Sequence, residues 1–260
     1  MLAVGPVLGA TSYQTRGGVT VRRTARGVDP VEAVEELIDR LDGHKGVLLA
    51  STYEYPGRYT RWDMGFIDPP IELVSRGRAF TVAALNERGA VLLPALLDRL
   101  GRCAAIESID GDQARIEGRI RPPSRRFPEE ERSRQHSVFS ILRALLDCFH
   151  SPEDGHLGLY GAFGYDLAFQ FEPIEFQIER PADQRDLVLY LPDRLVVADH
   201  SRGAAFEYAY EFDVDGRTTA GLSVSGSHEP YVAAASAPRS RDHAKGEYAR
   251  LVEVAKGSFR

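Results

Sequence analysis

"DLVLYLPDRLVVADHSRGAAFEYAYEFD", Asp186 to Asp213, decides the fold class. Apolar and polar residues alternate along it with the two-residue period of a strand. Turn residues interrupt the alternation at Pro192-Asp193 and from Ser201 to Gly203, so the stretch predicts three successive antiparallel strands. Upstream, "VTVRRTA" (Val19 to Ala25) reads as a strand and "GVLLAS" (Gly46 to Ser51) as another. "IELVSRGRAFTVAALNERG" (Ile71 to Gly89) reads as two strands joined at Arg76-Gly77, with Asn86 to Gly89 turning into a helix at "AVLLPALLDRLG". Pro94 is expected near that helix's first turn, where proline is tolerated.

Helices alternate with these strands. "VDPVEAVEELIDRLDG" has Asp29 as its cap and Pro30 in the first turn. Val31, Val34, Leu37, Ile38 and Leu41 are placed on one face, and Gly43 as a left-handed stop. "RRFPEEERSRQHSVFSILRALLDCF" reads as one helix, its acids at the N-terminus and Val138, Ile141, Leu142, Leu145 and Leu146 at helical spacing. "GLYGAFGYDLAFQFE" (Gly158 to Glu172) reads as a glycine- and aromatic-rich strand. The whole is an α+β pattern, antiparallel sheets packed with outer helices. It divides into a loose leader (1–18), the main region (19–214), a Gly/Ser/Ala/Pro-rich linker or mobile loop (215–245) and the start of a further domain (246–260).

Composition narrows the function. The net charge of −6 comes from interspersed residues, which argues against nucleic acid, and no apolar run is long enough to span a membrane. Cys103 and Cys148 stand far apart in apolar contexts, as buried free thiols of a reducing, cytoplasmic compartment do. No nucleophile elbow, phosphate loop or zinc-protease motif occurs. Glu129 to Glu131 read as a solvated first turn, and the seven scattered histidines as surface residues. Tyr165 and Asp166, neighbours on the expected strand, would point to opposite faces and so read as architecture rather than an acid–base pair. One stretch does look like a ligand wall: "VLLASTYEYPGRYTRWDMGF" (Val47 to Phe66), where a strand-like run breaks into hydroxyl, aromatic and cationic side chains. An amino-acid ligand needs such groups for its ammonium, its carboxylate and its side chain.

"GVLLAST", "SVFSILRALL", "YGAFGYDLAFQFE" and "DLVLYLPDRLVVADH", in that order, resemble the N-terminal half of anthranilate synthase component I. The stretch from Tyr53 to Gly89 is most similar to the form fused to its glutamine amidotransferase. The resemblance runs from Val19 onward and carries implications beyond the residues themselves. The parent would convert chorismate and glutamine-derived ammonia to anthranilate and pyruvate, the first step of tryptophan biosynthesis. Its Mg2+ ligands and catalytic groups would lie in a chorismate-binding half outside these residues, leaving this chain inactive alone. The resemblance also implies a tryptophan feedback site, in which Leu48, Leu49, Ala50 and Ser51 match a Leu-Leu-Glu-Ser motif and Arg61 takes the following basic position. Ala50 departs from the motif's glutamate, so the ammonium contact must come from elsewhere or feedback is weakened. The runners-up are aminodeoxychorismate synthase component I and a non-catalytic amino-acid-binding module.

Overall fold

Residues 7–50, 62–123, 127–172, 177, 179–181, 183–226 and 243–259 are described in the computed structural model. In chain order they form β1 (Val7–Gln14), β2 (Thr20–Val28), α1 (Pro30–Leu41), β3 (Gly46–Leu49), β4 (Trp62–Ile67), β5 (Ile71–Arg76), β6 (Ala79–Ala84) and α2 (Glu87–Gly101). There follow β7 (Ile106–Gly111), β8 (Arg115–Ile120), α3 (Val138–Phe149), β9 (Tyr160–Phe163), β10 (Leu187–Leu191), β11 (Arg194–Asp199), β12 (Ala204–Val214) and β13 (Arg217–Thr218). Two antiparallel sheets result. One runs β1-β2-β12-β11-β4-β3 with β13 beside β12, the other β7-β8-β6-β5-β10-β9. The α+β class read from the sequence holds.

Helices α1 and α2 start where side chains can satisfy their first N–H groups. Asp29 accepts from the amides of Val31 and Glu32 at 2.9 and 3.0 Å, and Asn86 accepts from that of Gly89 at 3.0 Å. Leu92, Leu93, Leu96 and Leu100 of α2 and Ile141, Leu142 and Leu145 of α3 share one core with both sheets. The first sheet contributes Val21, Tyr210 and Phe212, the second Leu73, Val82, Leu187 and Leu189. Strand β10 serves two clusters because its faces alternate. Its leucines join this core, while Tyr190 meets Phe66, Leu195 and Val197 of the first sheet in a smaller one.

Several expectations are corrected. The expected leader contains β1, which pairs with β2 from Gly9↔Ala25 to Gln14↔Thr20. Helix α1 ends on a right-handed Asp42, and Gly43 is not among the positive-φ glycines, since the cap N–H already bonds to the carbonyl of Arg40. Its buried residues are Ala33 and Leu37, whereas Val31 and Ile38 face solvent. Pro94 sits inside α2, not in the first turn. It is tolerated on the exposed side, where water can take up the carbonyl it leaves unpaired. The expected single helix from Arg125 is a 3-10 turn, Glu129–Arg134, followed by α3 with a reciprocal Ser137/Ser140 cap. Strand β9 stops at Phe163, and Tyr165–Gln170 form a 3-10 helix. Finally, β10 and β11 are not a hairpin: Pro192-Asp193 carries the chain from the second sheet to the first.

The chain divides into two units, residues 1–229 and 230–260. The second contains α4 (Glu247–Ser258), entered from a left-handed Gly246. Among the described residues no helix is long and apolar enough to cross a membrane.

Candidate functional site

Strand β3 is an edge strand whose register with β4 sets Val47 opposite Phe66 and Leu49 opposite Met64. Odd-numbered residues of β3 therefore share the face that Phe66 and Met64 turn toward the second sheet. There, the Phe66 ring meets Tyr160 and Tyr190 edge-on, each at 6.1 Å between centroids. Such edge-to-face pairs contribute about 0.5–1.5 kcal/mol apiece beyond burial. Leu49 closes the strand 43 % exposed, an apolar side chain on the aromatic face. Ala50 follows the strand and is exposed. Ser51 and Arg61 lie outside the described residues. Because β3 and β4 are antiparallel neighbours, Ala50 and Trp62, the flanks of 51–61, stand at the same end of the sheet.

Electrostatics keep this face neutral but polar at its border. Burial pushes the phenols of Tyr160 and Tyr190 each up to about 12, so both are uncharged at neutral pH. The nearby carboxylate of Glu72 also raises Tyr190 and pairs with Lys45 at 3.0 Å. Such a surface can hold an aromatic or aliphatic group. It offers no base beside a nucleophile, and among the described residues no three His, Cys, Asp or Glu side chains are grouped to hold a metal.

Deeper between the sheets lies a polar knot that the sequence did not disclose. Asp154, its side chain fully buried, accepts from the Tyr13 hydroxyl at 2.9 Å and from the amide of His156 at 2.8 Å, and pairs with Arg23 at 3.3 Å. His156 stacks on Tyr208 at 4.9 Å, with the Arg23 guanidinium 5.7 Å from the same ring. His156 is thus not a surface histidine, and burial lowers its pKa. Tyr13 and Asp154 are separated by 141 residues, and no periodicity links them. The hydroxyl of Tyr210, 1 % exposed, has no hydrogen-bond partner among the described residues.

Tyr165 and Asp166 lie on the 3-10 helix, where successive side chains diverge by about 120°. The opposite-faces argument falls with the strand, yet the pair is still divided. Tyr165 is 86 % exposed, while Asp166 accepts from Gln184 at 2.7 Å and pairs with Arg180 at 3.0 Å. The thiols are free, Cys148 buried and Cys103 half-buried.

No family model matches the chain. Among curated proteins it is 50% identical over all 260 residues to "Anthranilate synthase" of Azospirillum brasilense, covering 35% of that protein. It is 32% identical over 196 residues, 71% of the chain, to "Anthranilate synthase component 1" of Serratia marcescens, covering 34% of it. The Salmonella typhimurium protein of the same name is 30% identical over 138 residues, 52% of the chain and 26% of that relative. The chain thus spans about a third of the length of the relatives it matches best in extent. With half its residues identical along its entire length, this chain belongs to the anthranilate synthase family.

Proposed function

We propose that the chain is the regulatory N-terminal part of an anthranilate synthase, a lyase converting chorismate and ammonia to anthranilate and pyruvate in tryptophan biosynthesis. The observation that carries the regulatory assignment is the placement of Leu49. It stands on the aromatic face of β3 and β4, 43 % exposed, two residues before Ser51 in the chain. In this reading the indole of L-tryptophan rests against Leu49 and the Phe66 side of the sheet. Ser51 and Arg61 bind the polar groups of the amino acid, and Ala50 supplies no carboxylate for its ammonium. The chain's own residues bind and orient the inhibitor and exclude water from its ring; they take no part in bond making.

The name "component 1" of two relatives supports a partner component, which this proposal takes to be a glutamine amidotransferase. The fraction of each relative that is covered makes the Azospirillum protein longer than the Serratia one, which favours the fused arrangement. Mg2+ would serve the parent's chemistry, but no grouping among the described residues fits it, and no step here runs through it.

The test is chorismate turnover by the full-length parent across a tryptophan titration. A hydrogen bond to a charged group contributes about 1.5–3 kcal/mol, so Ser51→Ala and Arg61→Ala should each weaken inhibition by about ten- to a hundred-fold. Uninhibited turnover should stay the same, and Ala50→Glu should tighten inhibition. Three unchanged inhibition curves, or a parent indifferent to tryptophan, would remove the regulatory assignment.

A further inference from the structure

The opposite face of the same sheet carries a separate cavity. Helix α1 crosses that face where Gly65 leaves room: a Cβ there would come within 2.7 Å of Leu37 Cδ1. Beside this contact, between the helix and the strands, lies a cavity of about 310 Å³. That is within the range of small-molecule sites and about twice the size of an engineered cavity that holds benzene. Its apolar walls include Val28, Ala33, Leu37, Ile67, Val196 and Val224. Leu49, Ala50 and the inner face of β3 take no part in it.

The charged groups around the cavity do not balance in pairs. Glu36 is matched by Arg40 at 3.4 Å, Asp68 by His44 at 2.9 Å, and Asp193 by the buried Arg88. Glu207 is shared by two guanidiniums, Arg26 in close contact and Arg194 at 3.7 Å, and the Arg194 charge also acts on Asp193. Two guanidinium forks thus meet at the Glu207 carboxylate. An Arg fork can hold a carboxylate through two parallel bonds. Arg194, which lines the cavity with 53 % of its side chain exposed, meets Glu207 at 3.7 Å, longer than hydrogen-bond distance, and so has donors left for a further acceptor. A cation beside an apolar hollow suits an anion whose remainder is apolar.

We propose that this cavity binds a small carboxylate with an apolar body. The carboxylate completes a two-to-two pairing with Arg26, Arg194 and Glu207, and the body rests on Val28, Leu37 and Val196. The site is additional to the tryptophan site proposed above and lies on the other side of the sheet.

Fluorine NMR of 4-fluorobenzoate titrated with the 260-residue chain tests the assignment. Saturable binding is expected with a dissociation constant of ~1 mM or tighter, and at least ten-fold weaker binding of 4-fluorobenzyl alcohol and 4-fluorobenzylamine. Arg194→Gln, at an exposed position, should weaken 4-fluorobenzoate binding ten-fold or more with an unchanged circular dichroism spectrum. Val196→Phe should abolish it by filling the cavity; if that variant does not fold, Arg194→Gln decides alone. Saturating L-tryptophan should leave the probe bound, which separates this site from the Leu49 face. Equal binding of the alcohol, an Arg194→Gln variant that binds normally, or displacement by tryptophan would each overturn the proposal, as would absence of binding.

Discussion

Two arginine–carboxylate clusters hang from the same face of β12, four residues apart, and they are built oppositely. Around Glu211, the Arg88 guanidinium is 4 % exposed and all three of its nitrogens donate. It donates to the carboxylates of Asp193 and Glu211 and, at 2.9 and 2.7 Å, to the carbonyls of Thr219 and Tyr210. Around Glu207, two arginines, 28 % and 53 % exposed, share one carboxylate beside a cavity. The ion-pair chemistry is the same, and the saturation differs. A buried cation with every nitrogen engaged can only hold the fold together. Paired cations with capacity left over can also meet a ligand. The first cluster ties the start of α2 to the crossover at Asp193 and to the chain after β12, so three distant segments depend on one side chain.

The largest expected effect breaks the first cluster. Removing one partner of a buried pair leaves the other charged and unpaired, which costs about 3–5 kcal/mol, whereas an exposed pair is worth ~0–1 kcal/mol. Arg88→Met should therefore lower the urea-unfolding free energy by about 3–5 kcal/mol, and Arg26→Gln or Arg194→Gln by no more than ~1 kcal/mol. Similar losses at Arg88 and Arg194 would erase the distinction between the clusters.

A second, smaller effect sharpens the contrast between the two faces of the sheet. Helix α1 packs tightly on the sheet at Gly65, where an added Cβ would lie 2.7 Å from Leu37 Cδ1 and 3.0 Å from the carbonyl of Val47. Backbone cannot yield as a side-chain end can, so Gly65→Ala should cost about 1–3 kcal/mol through overpacking. The loss should be visible as a lowered melting temperature. Gly101→Ala, in α2 with nothing within 4 Å of the added methyl, should be neutral or stabilising. If Gly65→Ala melts with the wild type, α1 is not seated on that glycine.

What was legible in the sequence follows from the range over which each signal acts. The Asp29 cap, the Gly77 turn and the β11–β12 hairpin are set by neighbours within a few residues and appear as read, whereas Asn86, read as the start of a turn, caps a helix that already begins at Glu87. Alternation located β10 and β11 correctly but could not tell which sheet each would join, because partner choice is settled by β5 and β4 far upstream. The glycines of Gly158 to Glu172 suggested a strand throughout. A 3-10 turn prevails after Gly164 because Gln170, by donating to Gly77 and accepting from Val138, fixes the end of that turn to two other elements. Strands β7 and β8 passed unread because their pattern of mostly exposed residues has only one face to show. At the candidate site, Leu49 and its aromatic neighbours could be inferred only in part. The local motif was readable, but Tyr160 and Tyr190 arrive from the other sheet.

The smallest effect concerns the polar knot, and it contrasts that region with the neutral Leu49 face. His156 is packed against Tyr208, with Asp154 favouring its charged form and Arg23 opposing it; burial outweighs Asp154 and holds the pKa below the ordinary 6.5. A histidine with a depressed folded pKa binds fewer protons folded than unfolded in the window between the two values. Its contribution to stability is therefore intact above about 6.5 and is lost as pH falls through that window. Carboxylates also titrate toward the acid side, so the informative quantity is a difference. His156→Phe keeps a ring on Tyr208 and removes the titration. Unfolding free energies of the wild type and His156→Phe, measured at intervals from pH 7.5 to about 5, should run parallel above 6.5 and converge or cross below it, the wild type losing more. Parallel curves throughout would mean that His156 titrates alike in the folded and unfolded chain. The stack on Tyr208 would then lack the burial that distinguishes this knot from the surface.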